Sequence, residues 1–324
     1  MRKMTQGSIV RHLIAYALPL ILGNLFQLTY NAVDSIVIGK FAGENALAAV
    51  SAANPVMTIM ILGVSGVSIG ASVLMSRFYG AGDEDALRRE VATTIVFGGA
   101  ASVAAFLLGW PLSGPVLRLM RVPGEILAMA TRYLQVIFVG FLFTFQYNIL
   151  AAALRSVGDS KTPLWFLIAS SVGNIALDAV FVIVFHWGVG GVAWATFLAQ
   201  GVASACAFWA VLHRLKSIET KEKPALFSGA MLRRISIVAI PSILQQSFVS
   251  VGNLCIQGLV NGFGSSAIAG YSAGVKLNTF AITSLTALSN SVSSFTGQNI
   301  GAGKMERVRS GFKAGLVMSF AVAL

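Results

Sequence analysis

Long apolar runs separated by short polar connections fill this chain from end to end. Eight runs are complete: Leu13–Gly39, Ala46–Ser76, Val91–Leu112, Ile126–Leu154, Pro163–Phe185, Val192–Leu212, Ile235–Gly262 and Ala267–Thr296. A ninth begins near Gly311 and reaches Leu324. A helix needs about 20 mainly apolar residues to cross a bilayer. Strands of a membrane barrel would show as alternating segments of about ten residues. The runs here are continuous and longer, so they predict an all-α integral membrane protein with polytopic transmembrane helices.

Composition agrees. The chain has 324 residues, of which 56% are hydrophobic and 11% charged, and its mean hydropathy is +0.78. A soluble domain is about a quarter charged. The net charge of +11 does not indicate nucleic acid, because the basic residues lie between apolar spans. Of the 23 Lys and Arg, 18 fall in connections on the N-terminal side, four on the other side, and Lys276 inside the eighth run. That bias predicts a cytoplasmic N-terminus and a multi-pass protein of the bacterial cytoplasmic (cell) membrane. The first run is too long for a signal-peptide core, so it is expected to remain as an anchor. Cys206 and Cys255 lie within apolar runs without metal or disulfide spacing, and read as small packing residues.

The chain also repeats itself. A shift of 222 residues carries Ala17-Leu18-Pro19 onto Ala239-Ile240-Pro241, Phe26 onto Phe248 and Asn31 onto Asn253. A shift one residue shorter carries Gly80-Ala81-Gly82 onto Gly301-Ala302-Gly303. Six helices separate the copies, so the repeat is parallel, about an axis along the membrane normal; transporters with such halves work by alternating access. The expected organisation is a six-helix N-terminal lobe over 1–213, a charged cytoplasmic linker over 214–234, and a partial second lobe over 235–324 holding spans seven, eight and the start of nine. Pro19, Pro55 and Pro241 are candidate bending points.

Of the twelve Asp and Glu residues, ten read as lying in polar connections, and Asp34 and Asp178 lie deep within runs. A charge at the bilayer centre costs about 3 kcal/mol on insertion scales. Each of these acids ends a polar stripe at helical spacing: Asn24, Gln27, Asn31, Asp34 in the first span, and Ser171, Asn174, Asp178 in the fifth. Facing lipid, such groups would have no partners, so they are expected to face the lobe interior. Two neighbouring acids do not easily both ionise without a cation between them. With Asn174 as a neutral oxygen ligand they make a candidate H+ or Na+ site, to which Thr196 in the sixth span could add a hydroxyl. A seam of helix–helix hydrogen bonds is the plainer alternative. The seventh span carries Gln246, Ser250, Asn253, Gln257 and the eighth Thr279, Thr283, Thr286, Asn290, two acid-free stripes suited to a wet cavity wall. No phosphate-binding loop and no nucleophile–base pair appears, so the chain does not read as an enzyme or an ATP-driven pump, and no cofactor beyond the coupling ion is expected.

Three stretches resemble the multidrug and toxic compound extrusion family. They are Leu18-Pro19 through Asp34 followed by Gly39, Gly43 and Ala46-Leu47-Ala48-Ala49-Val50; Gly80-Ala81-Gly82-Asp83; and Leu154-Arg155-Ser156-Val157-Gly158-Asp159-Ser160-Lys161-Thr162-Pro163. The resemblance implies two six-helix lobes forming a V around a central cavity, and export of organic cations or drugs in exchange for H+ or Na+. By position it implies a cation site at Asp34, Asn174, Asp178 and Thr196, with Gln27 and Tyr30 lining the same lobe's cavity. A second-lobe acid found in another branch of the family has no counterpart in this seventh span. The family's twelve spans imply that helices of the second lobe are missing here, so the chain is expected to be truncated.

The expectation is therefore a secondary active antiporter for cationic or amphipathic compounds, working as a monomer in the lipid bilayer, with Gln27, Tyr30, Asn31, Asn253 and Gln257 around the cargo. The rivals are a lipid-linked oligosaccharide flippase, which would line its cavity with Arg or Lys for a diphosphate, and a non-transporting truncated remnant.

Overall fold

A computed structural model describes residues 3–216, 226–261 and 265–323. The side chains of Gln257 and Lys276 lie outside the described residues. Nine helices follow one another there: α1 (Ile9–Val37), α2 (Glu44–Ala81), α3 (Glu84–Leu119), α4 (Gly124–Ser156), α5 (Lys161–Asp178), α6 (Gly188–Lys216), α7 (Gly229–Asn261), α8 (Ser265–Gly301) and α9 (Met305–Ala323). Among the described residues there is no strand. Helices α1 to α7 are long and apolar enough to cross a membrane. Helices α8 and α9 occupy the eighth and ninth runs, but neither is among those seven. Helix enters the expected linker from both sides, to Lys216 and from Gly229.

Turn chemistry sets the ends. Asp83 caps α3, its Oδ1 accepting from the Ala86 amide at 3.0 Å. Asp159 does the same for α5: its Oδ1 accepts from the Thr162 amide at 3.0 Å, and its carboxylate pairs with Arg214 at the end of α6. The repeated Gly-Ala-Gly loops take one conformation in both copies. Gly82 after α2 has φ +72 and Gly303 after α8 has φ +70, the left-handed region where a side chain is strained.

Helix α4 is the centre of the first lobe, packed on α2, α3 and α6, while α5 lies against α1 and α6. Large apolar side chains point outward all around, among them Ile59, Leu107, Val202 and Trp209. Lipid is the physical partner for such a surface. Cys206 and Cys255 are also exposed, so they do not pack in the interior as the sequence suggested. Both lie in mostly apolar runs, and composition alone does not show which face turns inward.

Helix α2 turns its other side to α7 and α8. The halves meet closely near the N-terminal side. A Cβ on Gly80 would run into the Gln298 backbone, and one on Gly301 into the Arg77 carbonyl. Ser76 and Ser294 hydroxyls sit 3.2 Å apart across this seam. Toward the other side the described part of α7 is uncovered, with Leu244, Phe248, Val249 and Ile256 exposed.

One acid departs from expectation. Glu90 read as part of a polar connection, but it lies in the second turn of α3 with 0% exposure, and neither carboxyl oxygen has a hydrogen-bond partner. An unsatisfied buried polar group costs about 1–3 kcal/mol, and an apolar replacement of like shape removes that cost. Glu90→Met should therefore stabilise the protein by about 1–2 kcal/mol, read as a higher melting temperature in detergent. A lower melting temperature would mean that the carboxyl has a partner in solution.

Candidate functional site

The polar stripes on α1 and α5 converge, because these two helices pack together. Each stripe ends at its acid, and just beyond each acid the helix widens into a π turn: Ile38–Ala42 after α1, and Ala179–Val184 after α5. The wider hydrogen bonds are visible at Gly43 N to Ile38 O, 3.1 Å, and Phe185 N to Val180 O, 3.0 Å. The two π turns pack on one another. Such turns are rare and occur often at functional sites; nothing in the apolar sequence around them foretold them.

Asp178 is fully buried and Asp34 is half-buried. Their carboxyls face one another within interaction range, yet both Asp178 oxygens, Oδ1 of Asp34 and Oδ1 of Asn174 have no donor. Asn174 is buried, and its Nδ2 donates to Thr196 Oγ1 at 3.5 Å. So the four expected cation-site residues are contributed by three adjoining helices. Sequence reading missed a fifth group. Tyr133 of α4, 4% exposed, acts electrostatically with Asp34, Asp178 and Tyr30. No polar stripe on α4 flags it; only the packing brings it there.

Beside this cluster lies a cavity of about 430 Å³. Asn24, Gln27 and Tyr30 of α1, Thr196 and Gln200 of α6, and Thr286 and Asn290 of α8 line it. The acids do not reach its wall; Tyr30 and Thr196 belong to both the cavity lining and the acid cluster. Asn31 and Asn253 are exposed and do not line this cavity. Gln257 falls outside the described residues. The eighth-span stripe therefore contributes to the wall and the described part of the seventh-span stripe does not.

The chemistry of the cluster follows from its atoms. Ionised carboxylates only accept hydrogen bonds, and two in close range repel. The oxygens without donors suit a proton or a hard cation such as Na+. Among the described residues no group of three or more His, Cys, Asp or Glu gathers for a metal ion.

The MatE family model matches residues 19–180 and 241–324, which includes both acids and the second repeat. The chain belongs to the MatE family. It is 30% identical over 305 residues to the "Probable multidrug resistance protein YpnP" of Bacillus subtilis, covering 94% of this chain and 68% of that protein. It is 28% identical to the "Probable multidrug resistance protein YoeA" of the same organism, covering 99% of this chain and 71% of that one. Among solved structures, an outward-facing conformation of a multidrug resistance MATE family transporter superposes with a TM-score of 0.89 at 24% identity, over 98% of this chain and 71% of that chain. A MOP superfamily transporter from Pyrococcus furiosus, described as having a binding pocket of reverse polarity, superposes with a TM-score of 0.88 at 24% identity, over 99% and 71%. The fold is thus that of MATE transporters, and the chain is a multi-pass membrane protein of a transporter family.

If the acids interact as placed, their neutralisation is not additive. Asp34→Asn, Asp178→Asn and the double variant should give a coupling of about 1 kcal/mol or more in a thermal-stability cycle at fixed pH and Na+. Additive effects within error would separate the two side chains.

Proposed function

We propose that this MatE protein is a secondary antiporter that exports cationic or amphipathic organic compounds in exchange for H+ or Na+ by alternating access. The observation that carries the reading is the facing pair Asp34 and Asp178 behind the wall of a mostly neutral cavity. The coupling ion would bind at Asp34 and Asp178 with Asn174 and Thr196. Cargo would occupy the neighbouring cavity, against Gln27 and Tyr30. Occupancy on one side of Tyr30 disfavours occupancy on the other, and each ligand stabilises a different arrangement of the halves. The names of the curated relatives, which speak of multidrug resistance, support the cargo class.

Among the described residues Arg155 brings the cavity its one cation, at the end of α4 nearest the N-terminal side. A flippase for a lipid-linked diphosphate would need several. The Lys and Arg bias supports a cytoplasmic N-terminus and residence in the cell membrane. We read the working unit as a monomer, since α1, α5 and α6 of one chain supply all four cation-site residues.

The test is accumulation of a fluorescent organic cation in inverted vesicles holding the protein, with an H+ or a Na+ gradient applied in turn. One gradient should drive uptake, and Asp34→Asn or Asp178→Asn should reduce gradient-driven uptake at least tenfold at equal expression. Undiminished uptake in both variants would remove the acids from the coupling site.

A further inference from the structure

The segment Met4–Gly7 precedes α1 and is short, irregular and close to the chain's start. Such segments are commonly loose and exposed. Here Met4 is 2% exposed and Thr5 8%. Met4 packs with Leu13, Tyr16 and Phe295, the last from α8.

Its backbone is held by side chains from the second half. Gln298 Oε1 accepts from the Met4 amide at 2.9 Å. The Met4 carbonyl accepts from Asn299 Nδ2 at 3.4 Å and from the Arg307 guanidinium at 3.2 Å. The Thr5 carbonyl accepts from Lys304 Nζ at 2.9 Å, and the Gly7 carbonyl from Arg307 at 3.0 Å. Gln298 and Asn299 are fully buried. Arg307 is fixed further by Nε donating to Asn299 Oδ1 at 3.2 Å and by lying over the Phe295 ring at 5.7 Å. Gln298 also donates to the Ser156 carbonyl at the end of α4, 2.8 Å.

The hydrogen bonds that reach the segment from the second half all end on its backbone, and all come from the corner between α8 and α9; on its own side, His12 of α1 meets the Gln6 carbonyl at 2.6 Å. The same corner closes the seam with α2 through Gly80 and Gly301. We infer that Met4–Gly7 is a strap, continuous with α1, that locks the two halves together on the N-terminal side. The halves part there only when the α8–α9 corner lets go of the strap. The strap thereby sets how rarely the cavity is reached from that side. This inference does not depend on the identity of cargo or coupling ion.

The test uses the full chain with Cys206 and Cys255 changed to Ala and one reporter, Asn290→Cys, which lines the cavity. The protein is placed in vesicles whose orientation is read from an N-terminal tag. A membrane-impermeant maleimide is supplied from the N-terminal side. Two changes are compared with the parent: Lys304→Met with Arg307→Met, which removes the grip, and a Gly-Gly insertion between Gly7 and Ser8. The insertion leaves every group of the strap and of the α8–α9 corner in place but gives the tether to α1 slack, so it preserves the fold even if the first change does not. Both should label at least fivefold faster. The conservative Lys304→Arg should label at the parent rate. An unchanged rate in the insertion variant overturns the strap, whatever the double replacement does.

Discussion

The structure depends on two carboxyl groups facing each other inside an apolar helix bundle. Among the described residues both Asp178 oxygens and Oδ1 of Asp34 lack donors. A soluble protein would place such groups at its surface. Here α1 and α5 pack together, and the acid ends of their polar stripes meet while Asn24 and Gln27 turn to the cavity. The pair is costly in isolation and becomes favourable only with a positive species between or beside them. That constraint explains why Asn174, Thr196, Tyr30 and Tyr133 gather at the same level.

The rest of the architecture serves this pair. The π turns after Asp34 and Asp178 contact one another, and hold both helix ends at the depth of the acids. The cavity meets the cluster at Tyr30 and Thr196, so events at the acids are felt at its wall without direct contact with them. The seam between the halves lies at the far end, where Gly80 and Gly301 allow backbone to meet backbone and Gln298 joins the strap to α4. Chemistry at one end and closure at the other are the two separate parts that alternating access requires.

Much of this was legible in the sequence, for a physical reason. Lipid leaves a polar residue no partner except inside the protein, so Asn24, Gln27 and Asp34, at spacings of three and seven, announce an inward face. Glycine in a left-handed turn leaves its own mark, and the repeated Gly-Ala-Gly loops do take matching conformations at Gly82 and Gly303. What was not legible has reasons too. Tyr133 follows Thr131 and Arg132 and precedes Gln135, near the start of its run, so it reads as part of a polar end and belongs to no stripe. Glu90 sits beside Arg88 and Arg89 in the chain, so it reads as a loop charge until α3 is seen to begin at Glu84. Asn31 shares the spacing of its stripe yet is exposed, because the cavity covers only part of that face. Spacing within the sixth run does not relate Thr196 to the fifth, and only the packing of α5 on α6 shows that its hydroxyl meets Asn174.

The account turns on whether Asp34 and Asp178 bind their positive species as one unit. Infrared difference spectroscopy on the full chain in lipid measures this directly, in a Glu90→Gln background so that the third buried acid is silent. Raising pH or adding Na+ should change the carboxyl bands of the pair. Asp34→Asn and Asp178→Asn should each alter the whole difference spectrum, because coupled groups titrate as a pair. If each variant instead removed one independent band and left the other unmoved, the facing arrangement and everything built on it would be contradicted.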